Sequence, residues 1–349
     1  MAAPGHHSQR KGQQNSRPQG SNNSLHLDGH RCDRPDVKAS YIDTHCHLFT
    51  TMSMMKEKLA DTSIEPHRVD LLAKRLFPSN VKAVVDIHCD IPIGPYYEQA
   101  AALTEWPEDF KYYFAAGAHP HVAMSYTDET HAKFVEIMSH PNCVAWGECG
   151  LDFFKNKPYT HEAQRKVFIR QIEAAVSLHK PIVIHTREAD AATREVLDEH
   201  MPRDHVFHVH CFTSSTELGK WVLETFPNSF IGITGVVSYK LPHVQEFIRS
   251  EQLPLSRMLM ETDSPFMTPK GIYPWAKQTR PRDVARRRFE FCHSGMIPFT
   301  AELVADLINQ GREARGEAAR TDVDEVLEVT RKNAERVYGI QLENGDDAS

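Results

Sequence analysis

Short runs of apolar residues recur along the chain from Tyr41 onward, and longer segments with helix-like spacing separate them. Short apolar runs bounded by turn-forming residues are typical of strands that are buried on both faces of a sheet. Eight such runs predict the strands Tyr41–His45, Val81–Ile87, Tyr112–Gly117, Cys143–Gly147, Pro181–His185, His205–Cys211, Ser229–Thr234 and Arg257–Glu261. The pattern therefore predicts an interior sheet as the framework of the molecule.

The segments between these runs favour helices. They are Lys56–Arg75, which is only loosely patterned, and His131–Met138, Glu162–His179, Ala191–Glu199, Ser215–Thr225 and Pro242–Ser250. Strands that alternate with helices indicate an α/β protein with a parallel sheet, and eight such units favour a closed (β/α)8 TIM barrel. An open doubly wound sheet is the alternative. Two later segments, Thr300–Gln310 and Val323–Tyr338, predict additional C-terminal helices.

Residues 1–39 differ in composition from the rest of the chain. They are rich in Gly, Ser, Asn, Gln, Pro and basic residues and contain few large apolar side chains. Such a segment buries too little apolar surface to offset the conformational entropy lost on folding, so we expect a disordered N-terminal tail. The predicted organisation is this tail (1–39), a barrel domain (40–340) and a short acidic C-terminal tail (341–349).

Composition and charge narrow the classes of function. The 349 residues are 40% hydrophobic and 25% charged, which is ordinary for a globular protein. The formal net charge of -7 offers no overall attraction for a polyanion, so nucleic-acid binding would need a local basic patch or a metal ion. The seven cysteines are an odd number, which argues against a disulfide framework, and no apolar run is long enough to span a membrane. We expect a cytoplasmic monomer that can also be nuclear.

Side chains that bind metals stand at the ends of the predicted strands. His45 and His47 end the first run, and the alternation of side chains along a strand places them on the same side. In the sixth run His208 and His210 also share a face, and His210 is the better candidate ligand because it is nearer the strand end. The remaining candidates at strand ends are Glu148, His185 and Asp263.

The six candidates taken together indicate a metal centre. The carboxyl ends of barrel strands all open on one face, where barrel enzymes place their active sites. Four imidazoles and two carboxylates suit divalent metal ions, and six ligands exceed the three protein ligands usual for one catalytic zinc ion. Two divalent ions (Mg²⁺, Mn²⁺ or Zn²⁺) that share one carboxylate would account for the surplus.

Seven segments of the chain form a recognisable ordered set. They are IDTHCHL (42–48), GAHPH (117–121), GECGLDF (147–153), HTREA (185–189), HCFT (210–213), GITGVVSYK (232–240) and ETDSPFMTP (261–269). In this order they resemble the TatD family of metal-dependent deoxyribonucleases, within the amidohydrolase-like metal barrels. The resemblance implies a TIM barrel, two divalent metals and hydrolysis of DNA phosphodiester bonds. It also implies the same six ligands and a substrate or phosphate role for His119.

Three segments depart from the family pattern. Ser214 follows HCFT, where the family commonly has glycine. Beyond Pro269 the family usually has a segment similar to Arg-Asn-Glu-Pro, whereas residues 270–300 here have a different sequence that includes Arg286, Arg287 and Arg288. The N-terminal tail, which is extra to the family pattern, is a third departure. The segment after Pro269 belongs to the substrate side, and the three departures bear on substrate preference more than on metal binding.

The expected reaction is two-metal hydrolysis of DNA, as single strands or at strand ends. The predicted metal ligands are His45, His47 and Asp263 for one ion, and His185 and His210 for the other, with Glu148 bridging. The predicted catalytic residues are Asp263, Glu148 and His119. Asp263 would accept the proton of the attacking water as general base, and His119 and Arg187 would contact the phosphate.

A basic segment after the eighth strand is the candidate nucleic-acid contact. Residues 270–288 contain seven Lys or Arg residues and one acidic residue, with Tyr273 and Trp275 among them. Basic and aromatic residues together are typical of grooves that bind single strands, although a solvated loop with a structural tryptophan is the alternative. The predicted substrate contacts are His119, Arg187, Lys270 and Arg280.

Two other functions remain open on the sequence alone. The barrel would suit a metal-dependent hydrolase of an ester or amide that is not a nucleic acid, because related metal barrels support many reactions. It would also suit a protein that binds a partner through the N-terminal tail or the C-terminal helices. The presence of all six candidate ligands favours an enzyme over a barrel retained only for interaction.

Overall fold

The structure is a computed structural model that describes residues 25–65, 67–154 and 158–342. The strands of the described residues are β1 (Tyr41–Cys46), β2 (Val81–His88), β3 (Lys111–Ala116), β4 (Cys143–Asp152), β5 (Ile182–Arg187), β6 (Phe207–Val209), β7 (Ser229–Ile233) and β8 (Met258–Met260). They pair in sequence order, and each neighbouring pair is parallel. The eight predicted strands are therefore confirmed, with different end residues.

The last strand returns to the first and closes the barrel. A parallel bridge joins Cys46 to Ser264, and the backbone N–H of Asp263 donates to the carbonyl of His45 at 2.8 Å. The N–H of His47 likewise donates to the carbonyl of Ser264 at 2.9 Å. The predicted (β/α)8 TIM barrel is confirmed, and the open doubly wound alternative is wrong.

Helices surround the barrel in the expected alternation. Those of the described chain are α1 (Leu48–Leu59), α2 (Val69–Leu76), α3 (Tyr96–Ala101), α4 (Asp128–Ile137), α5 (Pro158–Ser177), α6 (Asp190–His200), α7 (Thr216–Thr225), α8 (Pro242–Arg249), α9 (Ile272–Thr279), α10 (Arg282–Ala285), α11 (Ile297–Ala314) and α12 (Val323–Tyr338). Within the described residues, no helix combines the length and the apolar composition that crossing a membrane requires.

One predicted helix is wrong. The segment Lys56–Arg75 forms parts of two helices, α1 and α2. Helix α1 ends at Leu59 because the next residue, Ala60, has a left-handed φ of 52° that cannot continue a helix. Helices α3, α9 and α10 were not predicted, since each is only four to eight residues long and carries little periodic signal. The predicted C-terminal helices correspond to α11 and α12.

The core has two layers. The larger lies between the outer faces of the strands and the surrounding helices, with Trp146, Phe114 and Phe207 fully buried. The smaller fills the barrel interior and includes Ile42, Val183 and Leu259 from the strands.

Helix α12 closes the amino-terminal end of the barrel. Its residues Ala334, Val337 and Tyr338 belong to the same buried cluster as the inward-facing strand residues. The Asn333 side chain donates to the carbonyl of Met258 at 2.8 Å, at the start of β8. This end of the barrel is therefore sealed, and the opposite end, where the strands finish, is the one that is open for chemistry.

The N-terminal segment differs from the predicted disordered tail. Residues 1–24 lie outside the described residues, but residues 25–39 pack against the molecule, and Leu25, Leu27 and Cys32 are buried. Leu25 and Cys32 form a small separate core with side chains of residues 272–299. Of the predicted acidic tail, residues 343–349 lie outside the described residues, whereas Leu342 still packs against the barrel interior.

Candidate metal centre

The six predicted ligands all lie at the open end of the barrel. His45 is in β1 and His47 follows it, Glu148 and His185 lie within β4 and β5, and His210 and Asp263 come after the short strands β6 and β8. The side chains of His45, Glu148 and His210 are nearly inaccessible, at 0%, 3% and 4% exposure. Parallel strands end on the same face, so residues far apart in the chain meet here.

Glu148 occupies the middle of the cluster. Its Oε1 lies 2.7 Å from His185 Nδ1 and 2.8 Å from His210 Nε2, and its Oε2 lies 3.5 Å from His45 Nε2. Gly147 and Gly150 flank it with φ values of 142° and 148°, and a Cβ on Gly150 would collide with the carbonyl oxygen of His185. Glycine is needed here for the close approach of β4 to β5.

Asp263 forms the second half of the cluster. Its Oδ1 lies 3.4 Å from His47 Nε2 and 3.8 Å from His45 Nε2. Ligand atoms therefore gather in three overlapping groups, each within 4.8 Å: His45 with Glu148 and His210; His45 with His47 and Asp263; and His119 with Glu148 and His185. The sequence did not predict that His119 would join a group.

The buried nitrogens test whether a cation fits. Both ring nitrogens of His45 and the Nδ1 of His210 are buried and find no hydrogen-bond partner among the described residues. A buried polar atom without a partner costs free energy, and a metal ion is the partner that unprotonated imidazole nitrogens beside carboxylates suit best. The donor set thus fits one or more divalent metal ions.

The protonation states follow from burial and from the carboxylates. Burial lowers the pKa of His45 to about 3, so its imidazole is neutral. Burial also opposes the charge on His47, but the hydrogen bond and negative charge of Asp263 outweigh it and raise the His47 pKa to about 9. Because metal ligation requires a neutral imidazole, the binding of a metal at His47 would release a proton.

His119 is set up as a hydrogen-bond donor. Its Nδ1 accepts the backbone N–H of His121 at 3.1 Å, and burial lowers its pKa to about 3. A neutral ring whose Nδ1 accepts a hydrogen bond carries its proton on Nε2, and this atom lies 3.6 Å from Glu148 Oε1. His119 therefore suits the donation of a hydrogen bond to a substrate oxygen better than ligation of a metal.

Asp152 is a functional candidate that the sequence reasoning missed. Its Oδ2 lies 3.1 Å from His185 Nε2, which leaves the His185 Nδ1 facing Glu148 and His210. A carboxylate that accepts the second ring N–H of a ligand histidine fixes its tautomer and orientation. The signal was present in the sequence, because Asp152 is the last residue but one of the GECGLDF motif and ends β4.

We expect Asp152→Ala to raise the dissociation constant for Mn²⁺ by about 10- to 100-fold, since outer carboxylates of this kind contribute that much to metal affinity. Isothermal titration calorimetry of the metal-free protein with Mn²⁺ measures this dissociation constant. Asp152→Asn keeps an acceptor oxygen of the same reach and should lose less. An unchanged dissociation constant in Asp152→Ala would show that His185 is oriented by other contacts.

A second buried carboxylate, Asp43, ties the ends of β1 and β8 together. It accepts the backbone N–H and the hydroxyl of Thr262 at 3.0 and 2.6 Å, and the hydroxyl of Ser294 at 2.7 Å. These bonds fix the segment that carries Asp263 against the segment that carries His45. The sequence reasoning also missed this role, because the partners are more than 200 positions away.

The predicted substrate contacts separate into two groups. Arg187 and Lys270 are exposed and lie over aromatic rings, with the Arg187 guanidinium 3.6 Å from the centre of Phe154 and the Lys270 ammonium 5.1 Å from that of Tyr239. Arg280 instead donates to the backbone carbonyls of residues 29 and 31. The structure thus uses Arg280 to hold the N-terminal segment and does not bring it to the cluster.

The aromatic residues of the basic segment have structural contacts. Trp275 packs against Phe299 with ring centres 5.2 Å apart, and Tyr273 packs against Phe289 at 5.8 Å. Both rings belong to the margin of the small N-terminal core. This arrangement matches the alternative of a structural tryptophan more closely than an open stacking surface.

The sequence pattern of the family described as "TatD related DNase" matches residues 42–339. The chain belongs to the TatD family. The match covers every strand of the barrel and all six candidate ligands. The family membership that the seven motifs indicated is therefore confirmed, and so is the prediction that the chain is a TatD hydrolase.

Three curated relatives extend the comparison. The human 3'-5' RNA nuclease TATDN2 is 30% identical over 88% of this chain, and the chain spans 36% of that relative's length. An uncharacterized metal-dependent hydrolase TatD from Mycobacterium tuberculosis is 28% identical over 86% of this chain and 98% of the relative. The 3'-5' ssDNA/RNA exonuclease TatD of Erwinia tasmaniensis is 32% identical over 70% of this chain and 84% of the relative.

Proposed function

We propose that this TatD protein hydrolyses phosphodiester bonds of single-stranded DNA, or of DNA ends, with two divalent metal ions. The observation that carries the proposal is the central position of Glu148, whose two carboxylate oxygens face different histidines of one cluster. The relatives that are named as nucleases of RNA and single-stranded DNA support a nucleic-acid substrate. The proposal includes the expectation that the protein is a monomer of the cytoplasm and can also be nuclear.

The ligands divide between two ions. We assign His45, His47 and Asp263 to one ion and His185 and His210 to the other, with Glu148 shared. The short distances within each set support this division, since His47 Nε2 lies 3.4 Å from Asp263 Oδ1 and His185 Nδ1 lies 3.1 Å from His210 Nε2. A carboxylate that bridges two ions is a recurrent feature of two-metal hydrolases.

The metals, when bound, would supply a water that is ionised near neutral pH and positive charge beside the phosphoryl oxygens. The residues of the chain supply the rest. Asp263, whose pKa is held below its ordinary value because the hydrogen bond from His47 outweighs burial, is ionised and can accept the proton of the water. His119 would donate from Nε2 to a phosphate oxygen, and Arg187 would hold the strand at the rim.

A negative molecule can still bind DNA through such a local arrangement. Arg187 and Lys270 place positive charge on the open face of the barrel, and each is held over an aromatic ring. The formal charge of -7 belongs to the whole chain and acts over longer distances, where salt screens it. The assignment of Arg187 and Lys270 as substrate contacts stays a proposal.

The test is hydrolysis by metal-free protein with Mg²⁺, Mn²⁺ or Zn²⁺ added back. We expect no cleavage of a labelled single-stranded oligonucleotide without metal, and restored cleavage with at least one of the three ions. The same preparations are offered small carboxylic esters and amides. Turnover of those substrates alone would refute the nuclease proposal and favour the other hydrolase function, whereas cleavage that survives full removal of metal would refute the two-metal mechanism.

A further inference from the structure

A cavity opens beside His47 on the face where the strands end. Its volume is about 540 Å³, and its walls come from the β1–α1 and β2–α3 segments. His47 lines one side of this cavity, so its interior is continuous with the proposed metal centre. Ligand sites in proteins are commonly concave and of this size.

Three aromatic rings form one wall of the cavity. The ring centres of Phe49 and Tyr96 are 4.8 Å apart, and the rings of His67 and Tyr96 stack with centres 5.2 Å apart and an angle of 24°. Tyr96 is 40% exposed, and His67 is exposed as well. Because both rings are exposed and line the cavity, part of each is accessible to a ligand.

The polar groups deep in the cavity are already paired. The carboxylate of Asp86 accepts the backbone N–H of Leu48 at 2.9 Å and the hydroxyl of Tyr112 at 3.0 Å. His88 Nε2 lies 3.2 Å from the same carboxylate. Asp86 and His88 are therefore engaged within the protein, whereas aromatic faces stack on any flat ring.

We propose that this cavity binds the nucleobase of a nucleotide next to the bond that is cleaved. The inference rests on the proposed nuclease function and adds a substrate subsite to it. An aromatic wall beside a metal centre suits an unpaired base, because stacking on aromatic side chains is the general way in which proteins hold single strands. Stacking of this kind accepts any base, because every base presents a flat face.

The test compares three oligonucleotides as substrates of the wild type and of variants of the cavity wall. One oligonucleotide is entirely thymidine, and the others carry a tetrahydrofuran residue, which lacks a base, on either side of the cleaved bond. We expect the wild type to cleave the thymidine strand with a kcat/KM about tenfold higher than that of one tetrahydrofuran strand, in line with the contribution of a stacked base. Tyr96→Ala should lose this difference, because it should slow only the thymidine strand.

Tyr96→Phe is the matched control, since it keeps the ring and should keep the preference. Phe49→Leu is a second variant that removes a ring of the wall and keeps an apolar side chain. Thermal melts of Tyr96→Ala and Phe49→Leu report whether each variant is folded. Equal slowing of all strands by Tyr96→Ala, or a wild type that ignores the missing base, would overturn the subsite while the nuclease proposal stands. A wild type that cleaves no strand with any metal would refute the nuclease proposal, and the subsite with it.

Discussion

Replacing Glu148 with alanine is expected to lower kcat/KM for single-stranded DNA by at least about 1000-fold, which corresponds to several kcal/mol of transition-state stabilisation. The reason is geometric. One carboxylate oxygen lies within 2.8 Å of both His185 and His210, and the other faces His45. Its removal leaves the two proposed metals without a shared ligand and takes away the carboxylate that His185 and His210 both contact.

Metal binding measures the same change independently of activity. We expect titration calorimetry with Mn²⁺ to show two sites in the wild type and one weakened site, or none, in Glu148→Ala. Glu173→Ala is the matched control, because Glu173 is exposed on the outer helix α5. Wild-type stoichiometry in Glu148→Ala would contradict the bridging assignment, even if activity fell for another reason.

Asp263→Asn is expected to lower kcat by about 100- to 10,000-fold, which is the range for loss of a general acid or base. Asparagine has the same shape as aspartate but cannot accept the proton of the attacking water. The loss of charge also removes the main support for the charged form of His47, whose pKa should fall from about 9. Steady-state kinetics with saturating metal separate this effect on kcat from weaker metal binding.

Asp283→Asn supplies the matched control for this variant, since Asp283 is exposed in α10 and belongs to none of the three groups of ligand atoms. Thermal unfolding should report similar stability for both variants. Cleavage of DNA at equal rates by the wild type, Glu148→Ala and Asp263→Asn would disprove the mechanism proposed here. If a higher metal concentration instead restores the kcat of Asp263→Asn to the wild-type value, Asp263 is a metal ligand without a role as base.

The barrel and its cluster could be predicted because both depend on local sequence. An apolar run predicts a strand, and the residue that follows the run lies at the carboxyl end of that strand. Parallel pairing then brings the carboxyl ends to one face of the barrel. His185 and Glu148 meet for this reason, although they are 37 positions apart. The order of the strands did not have to be known for the residues to be grouped.

The roles of other residues depend on contacts that no local pattern encodes. Arg280 lies in a basic segment, yet its guanidinium donates to backbone carbonyls about 250 positions earlier in the chain. Those bonds also explain why residues 25–39 are packed despite a composition typical of disorder. Asp152 and Asp43 were missed because a carboxylate that orients another residue resembles any other polar residue within a strand or at its end.

Helix α12 sets the order in which this molecule can be completed during synthesis. The barrel interior is covered by Ala334, Val337 and Tyr338, which follow the last strand by more than 70 positions. A nascent chain that has finished all eight strands still has a barrel whose interior faces water at one end. The final cooperative step of folding therefore waits until α12 leaves the ribosome, and until then the metal cluster rests on an unfinished core.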